Sequence, residues 1–162
     1  KTQHDPLTGI GNRRKMSAQL DIILKDAIEQ QQYITIMFGD VDRFKVFNDR
    51  YGHLEGDEVL LGVARILIDN TRAENDLAAR VGGDEFCVLL TDCDVINARK
   101  IAGLVCSQVR GMSVDDRRTS ITIGSYSLVP DSNTAISNVL ELADNALYQA
   151  KNSGRDGFLC TD

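Results

Sequence analysis

Long apolar runs, paired cysteines and an excess of basic charge are all missing from this 162-residue chain. No apolar run approaches the roughly 20 residues of a membrane-spanning helix, and no signal-peptide pattern is present. We therefore expect no direct membrane contact and a cytoplasmic domain. The net charge of −6 argues against a nucleic-acid binder, because such proteins present a basic face. It does not exclude a nucleotide, since a metal ion can bridge carboxylates to phosphates.

The four cysteines include no CxxC pair and lie mostly in apolar stretches. This spacing favours reduced core residues of a cytosolic protein over disulfides or metal ligands. The residues concerned are Cys87, Cys93, Cys106 and Cys160.

Repeats, low-complexity tracts and linkers are also missing, so residues 1–162 are predicted to form one domain with its own core. The chain starts at Lys1 without an initiator methionine. We therefore expect a fragment of a longer multidomain signalling protein, whose other parts include sensory or effector domains and tether this domain to a membrane sensor.

Helical and strand-like patterns alternate along the chain, and a hairpin lies among them. This order predicts an α+β fold with a central mixed, largely antiparallel sheet flanked by helices. The first predicted helix begins near Asn12, and Gly52-His53 and Gly56 introduce the second. The third and fourth predicted helices have apolar faces over residues 101–109 and 136–150. The predicted strands cover residues 33–39, 76–81, 85–91, 119–126 and 157–160.

Two acids follow a Gly-Gly pair between two of these strands. Gly82 and Gly83 indicate a hairpin turn, because both positions of such a turn can take positive φ at glycine. Asp84 and Glu85 then crowd like charges at its tip, which is unfavourable unless solvent screens them or a cation shares them. A solvated acidic turn is the simpler alternative.

A second acidic pair, Asp40 and Asp42, ends the apolar run from Tyr33 to Phe38. Acids at the end of a buried strand are costly without a partner. If this strand neighbours the hairpin, Asp40 and either Asp84 or Glu85 converge on one Mg²⁺, which binds carboxylate and phosphate oxygens. An Asx turn or a helix N-cap is the alternative.

Asn48 and Asp57 have the chemistry of a guanine reader. A carboxylate accepts hydrogen bonds from N1–H and the exocyclic amine of guanine, and an amide both donates and accepts. Alternatively, Asn48 lies at a helix end, and Asp57 is a first-turn acid favoured by the helix dipole. His53 is interpreted as a structural hydrogen-bonding residue.

Basic residues lie around the end of the last predicted helix, which Gly154 terminates. Lys151 and Arg155 either balance the helix dipole or hold phosphates, and their pairing favours phosphates. Near the start, Asn12 is a natural N-cap, and we assign the segment from Asp5 to Arg14 no role beyond fixing the beginning of the first helix.

These motifs together resemble the GGDEF domain of bacterial diguanylate cyclases over nearly the whole chain. The resemblance implies a fold related to the palm of polymerases and nucleotidyl cyclases, with a ferredoxin-like core. It also implies an enzyme, a nucleotidyltransferase that condenses two GTP into cyclic di-GMP and releases two pyrophosphates. The motifs are DPLTGIGNRR, DVDRFKVFND, YGHLEGDEVL, ARVGGDEF, ITIG and ADNALYQAKNSGRDGF.

By position, the resemblance assigns a role to each candidate residue. It implies metal binding by Asp40, Asp84, Glu85 and the carbonyl of Val41. It implies a catalytic role for Glu85 and Asp84. Asn48 and Asp57 match the guanine readers, and Gly82 and Gly83 let the backbone approach the nucleotide. Phosphates are assigned to Lys45, Lys151, Arg155 and the backbone of Phe44.

The implied mechanism is attack of one GTP 3′-hydroxyl on the α-phosphate of another, assisted by a pair of Mg²⁺ or Mn²⁺ ions in each site. One domain cannot present both reactants, so the domain is expected to act as a two-fold homodimer. The alternatives are a catalytically silent GTP-binding regulatory module and a nucleotidyl cyclase with another product.

One departure from the family pattern concerns product inhibition. Active members often carry an RxxD site shortly before the Gly-Gly turn. Here Asp76 is present, but Ala73 occupies the arginine position and Arg72 is one residue off. A one-residue shift re-aims a side chain, so the inhibitory site is predicted to be absent.

Overall fold

The protein, described over residues 2–162 by a computed structural model, is built on one five-stranded sheet. Its strands are β1 (Ile34–Val41), β2 (Leu77–Arg80), β3 (Glu85–Thr91), β4 (Ile121–Leu128) and β5 (Gly157–Thr161). Its helices are α1 (Arg13–Gln30), α2 (Phe44–Tyr51), α3 (His53–Asp69), α4 (Val95–Gly111) and α5 (Ile136–Asn152).

Strand β1 lies at the centre of the sheet, whose order is β2-β3-β1-β4-β5. It pairs antiparallel with β3 and β4, and β4 and β5 form the parallel pair. Every residue of β1 except Asp40 is buried, because helices cover both faces of the sheet. The predicted α+β class and the mixed, largely antiparallel sheet are confirmed.

Two separate cores hold the helices against the sheet. One face carries α2, α3 and α4, with Val63 and Val105 among the buried residues, and the other carries α1 and α5, with Leu20 and Leu147. At Gly124 of β4, any Cβ would overlap the backbone of α5. This close approach brings the C-terminal end of α5 to the end of β1 that carries Asp40.

The predicted strands agree with the observed ones within two residues, and Asn12 caps α1 by accepting a hydrogen bond from the Lys15 N–H at 3.0 Å. The short helix α2 was not among the predicted helices, and only the helix-end alternative for Asn48 implied a helix here. It has only eight residues, and Gly52 at φ 96° separates it from α3. Helices this short have little intrinsic stability, so packing of Phe47 into the core is needed to hold it.

The prediction that Gly82 and Gly83 adopt positive φ in the hairpin turn is wrong. The hairpin between β2 and β3 forms, but neither Gly82 nor Gly83 has a positive φ. The N–H groups of Val81 and Gly82 both donate to the Glu85 carbonyl, at 2.9 and 3.2 Å. This four-residue connection closes without the left-handed conformations of a two-residue turn.

All four cysteines are buried and free, as predicted for core residues. Burial raises the pKa of the Cys106 thiol to about 12, so this group is not a reactive thiolate. Within residues 2–162, no helix combines the length and the apolar character needed to cross a bilayer.

Candidate active site

The acids of the two sequence clusters meet at one end of the sheet. Asp40 of β1 lies directly opposite Glu85 of β3 in the antiparallel register. The Val41 N–H donates to the Asp84 carbonyl at 3.1 Å, which holds the turn against the end of β1. Strand pairing therefore brings together carboxylates that lie more than forty residues apart in the sequence.

The two oxygens of Asp40 have different surroundings. Its Oδ2 forms an ion pair with Lys151 Nζ from the last turn of α5. Its Oδ1 is buried and has no hydrogen-bond partner within residues 2–162. An unsatisfied buried carboxylate oxygen is costly, and a hard cation is the ligand that this oxygen suits.

The donor set fits a cation that phosphate oxygens help to bind. In the described part of the chain, no three His, Cys, Asp or Glu side chains lie close enough to form a complete metal cage. Mg²⁺ commonly takes only one or two carboxylates and completes its shell with water and substrate phosphates. Asp40 paired with either Glu85 or Asp84 matches that mode of binding.

Burial and neighbouring charge raise the pKa values of both turn acids. For Asp84, burial is the main cause and the Asp40 charge adds to it. For Glu85, burial again comes first, followed by the charges of Asp40 and Asp144, while Arg13 and Lys151 act in the opposite direction. Crowded carboxylates of this kind favour a bound cation.

The N-terminal segment braces the turn, a role that the sequence analysis did not assign to it. Arg80 donates to the Gly83 carbonyl at 2.9 Å and to Asp5 at 3.2 Å. Asp5 in turn accepts from the Thr8 hydroxyl at 2.7 Å. The only sequence signal was a basic residue just before the acidic turn.

Arg13, at the start of α1, is a second residue that the sequence analysis missed. It donates to the Val81 carbonyl at 2.9 Å and lies 3.8 Å from Glu85 Oε1. Glu85 itself faces a cleft of about 390 Å³. The cleft is lined by Arg13, Met16, Phe38, Glu85, Leu140, Glu141 and Asp144.

The two candidate guanine readers lie on adjacent helices. Asn48 of α2 has a buried Oδ1 without a partner in residues 2–162, and it packs so closely on Gly56 of α3 that a Cβ there would overlap it. Asp57 is the fifth residue of α3, so the first-turn alternative for Asp57 is wrong. The first-turn acid is Glu55, which pairs with Arg117.

The candidate phosphate residues divide into two groups. Lys151 is held by Asp40, whereas Lys45 and Arg155 are exposed and make no side-chain ion pair within residues 2–162. Phe44 is the first residue of α2 and is half-buried. Arg155 follows α5 and has φ 61°, next to Gly154 at φ 115°, so the predicted glycine end of this helix is observed.

Asp76, the residue that remains of the RxxD product-inhibition site, faces inward. Only 2% of its side chain is exposed. Its carboxylate accepts from the Arg72 guanidinium at 3.0 Å and from the Thr91 N–H at 3.0 Å. Ala73, at the family's arginine position, is exposed and provides no charge.

Comparisons with known proteins identify the family of this chain. The family model described as "Diguanylate cyclase, GGDEF domain" matches residues 2–157. The probable diguanylate cyclase DgcT of Escherichia coli K12 is 38% identical over 98% of this chain and 35% of its own length. The response regulator PleD of Caulobacter vibrioides is 39% identical over 96% of this chain and 35% of its own length. The chain thus spans about a third of each of these relatives.

Solved structures give the same result. The GGDEF domain of DgcB from Caulobacter crescentus, in complex with c-di-GMP, superposes with a TM-score of 0.92 at 27% identity, covering 99% of this chain and 96% of that one. The GGDEF domain of TpbB from Pseudomonas aeruginosa gives 0.87 at 36% identity, covering 98% and 92%. Sequence, fold and paired carboxylates lead to one conclusion: the chain belongs to the GGDEF domain family of diguanylate cyclases.

Proposed function

We propose that this domain condenses two GTP molecules into cyclic di-GMP and two pyrophosphates. The observation that carries the proposal is Asp40, which lies opposite Glu85 with one buried oxygen unsatisfied. The Asn48 Oδ1 acceptor on α2, also buried and unsatisfied, supports recognition of a base with ring and amine donors. Guanine provides both kinds of donor.

In this proposal, Mg²⁺ or Mn²⁺ would be held by carboxylates among Asp40, Asp84 and Glu85 and by the Val41 carbonyl. The metal, when bound, neutralises phosphate charge and lowers the pKa of the attacking hydroxyl. Lys151 exchanges its Asp40 partner for a phosphate oxygen, while Lys45, Arg155 and the Phe44 backbone contact the other phosphates. Asn48 and Asp57 orient the base.

The reaction also requires a second copy of the domain. Each domain holds one GTP, and in-line attack of a 3′-hydroxyl on the partner's α-phosphate needs two sites facing each other about a two-fold axis. Glu85 faces an open cleft of about 390 Å³, which supports access by a second nucleotide.

We also propose that cyclic di-GMP does not inhibit the domain through the incomplete RxxD site at Asp76. The inward carboxylate is already bound by Arg72 and by the Thr91 N–H, so little of it remains for a ligand. Titration of cyclic di-GMP into the protein tests this point. Tight binding that is lost in Asp76→Ala would contradict it.

Mass-resolved product analysis with GTP and Mg²⁺ tests the activity directly. The parent protein and Glu29→Ala, which removes an exposed acid on α1, should form cyclic di-GMP, and Glu85→Ala should not. If concentrated parent protein binds GTP but forms no product, the silent regulatory module replaces the cyclase proposal.

A further inference from the structure

A second cleft, of about 290 Å³, lies on the other side of α2 from the candidate base site. Val46, Phe47 and Arg50 contribute one face of α2 to its wall, and Arg43 joins them from just before the helix. Asn48 lies roughly 140° around the same helix. The residues before β4 form the opposite wall, with Arg118 among them.

Positive charge collects in this cleft although the whole chain carries a net charge of −6. Within residues 2–162, Arg43 and Arg50 form no ion pair, and Arg118 donates only to the Arg110 carbonyl at 3.3 Å. Three guanidinium groups around one concave surface repel one another unless solvent screens them or an anion shares them.

The acid in the cleft wall does not neutralise these arginines by contact. Asp42 is buried, and its carboxylate accepts from the Ser120 hydroxyl at 2.5 Å, from Thr122 at 2.5 Å and from the Asp156 N–H at 3.0 Å. These bonds tie the end of β1 to β4 and to the residue preceding β5. Asp42 is therefore a structural residue, and its charge is directed into the fold.

Arg50 packs beside an aromatic cluster at the cleft wall. The Arg50 guanidinium lies 5.5 Å from the centre of the Tyr51 ring, and Tyr51 packs edge-on against Phe47 at 5.0 Å between ring centres. Arg43 has φ 49° in the left-handed region, which costs energy for a residue with a Cβ. Tyr51 and Phe47 thus support the Arg50 side of the cleft.

We propose that this cleft is an anion site for a small phosphate-bearing ligand. Guanidinium groups match phosphate oxygens in charge and in geometry. The volume is near the lower end of the range of about 300–1,000 Å³ found for ligand pockets, which favours an inorganic anion over a nucleotide. Inorganic pyrophosphate is the probe of choice, and it is a product of the reaction only if the proposed function holds.

Calorimetric titration of pyrophosphate into the protein, without nucleotide and with a chelator of divalent cations, tests the site. Arg50→Gln with Arg118→Gln should weaken binding by roughly tenfold or more, because charge-assisted hydrogen bonds are lost. Arg65→Gln removes the same charge from an exposed position on α3 outside the cleft, and it should change the affinity less than twofold. Circular dichroism verifies folding, and Arg50→Gln alone replaces the double variant if that variant unfolds.

The proposal is overturned if pyrophosphate does not bind, or if the double variant binds as tightly as Arg65→Gln. It is also overturned if Lys45→Gln, on the opposite side of α2, abolishes binding while the arginine variant does not. Because the titration contains no GTP and measures no turnover, its failure is distinct from failure of the cyclase proposal.

Discussion

Asp40 combines two features at the residue scale. One of its oxygens is neutralised by Lys151 and the other is buried without a partner. The ion pair lowers the cost of a carboxylate at the end of a buried strand. It also holds Lys151 within reach of the position where phosphate and cation charges would meet, so binding is expected to rearrange the pair.

Glu85→Gln is expected to stabilise the protein when divalent cations are absent. Burial and the Asp40 charge raise the pKa of Glu85 in the native state, so its ionised form opposes folding. Removing that charge at neutral pH should raise the free energy of unfolding by about 0.5 kcal/mol, a small value because the group is partly exposed and screened by solvent. Thermal unfolding should detect a Tm increase of about 1–2 °C.

The pH dependence of this effect has a definite sign. A raised carboxyl pKa means that the native state binds the proton more tightly than the unfolded chain. The parent protein should therefore lose stability relative to Glu85→Gln as the pH rises from about 4 through the native pKa of Glu85. Mg²⁺ should then stabilise the parent more than the variant. An unchanged or lower Tm in Glu85→Gln would contradict the prediction, and Glu29→Gln is the matched control.

At the scale of elements, α2 connects the candidate base site to the core. Its Asn48 packs on Gly56 of α3, and its Phe47 is buried under the sheet. The position of the Asn48 side chain therefore depends on how closely two helices approach, and the absence of a Cβ at Gly56 permits that approach.

Gly56→Ala is expected to displace Asn48 and to weaken guanine nucleotide binding. The added Cβ would overlap Asn48 Oδ1. Such overpacking typically lowers the free energy of unfolding by about 1–3 kcal/mol. Calorimetric titration with GMP, beside a Tm measurement, separates lost binding from unfolding. Gly111→Ala adds a Cβ in open space at the end of α4 and should preserve GMP affinity. Equal GMP affinity in both variants would refute the packing argument.

Gly124→Ala is expected to loosen α5 from the sheet. Its Cβ would overlap the backbone at Leu147, which cannot move aside as a side chain can. We expect a loss of more than about 3 kcal/mol, at or above the upper end of overpacking costs. Gly39→Ala on the neighbouring strand is the matched control, because its Cβ meets the flexible end of Ile121 at 3.2 Å. Urea unfolding should rank Gly124→Ala well below Gly39→Ala, and a reversed order would contradict this account.

At the scale of the whole molecule, the proposed reaction needs more than one chain. If two domains must face each other, the rate per domain should rise with protein concentration until the dimer is saturated. Product formation measured across a hundredfold concentration range, together with sedimentation, tests this expectation. A rate per domain that is constant while the protein remains monomeric would exclude the dimer mechanism.

Periodicity and composition were sufficient for the strands, for the existence of the four longer helices and for the buried cysteines, but not for where α3 and α4 begin: α3 already includes Gly56, and α4 begins at Val95. The same local reasoning failed for α2, because eight residues form a stable helix only when Phe47 packs into the core. It also gave the wrong reason for Gly82 and Gly83, because turn conformation depends on how the connection is closed by Val81, Gly82 and Glu85.

The sequence by itself determined the α+β class, the family and the candidate acids, because these depend on residue type, order and local period. Only the tertiary structure decided that Asp40 lies opposite Glu85 and pairs with Lys151, and that Arg13 and Arg80 support the turn. It alone also brought Arg43, Arg50 and Arg118 to one cleft. The physical reason is that strand pairing and helix packing bring together residues far apart in the chain, and no local pattern encodes which of them will meet.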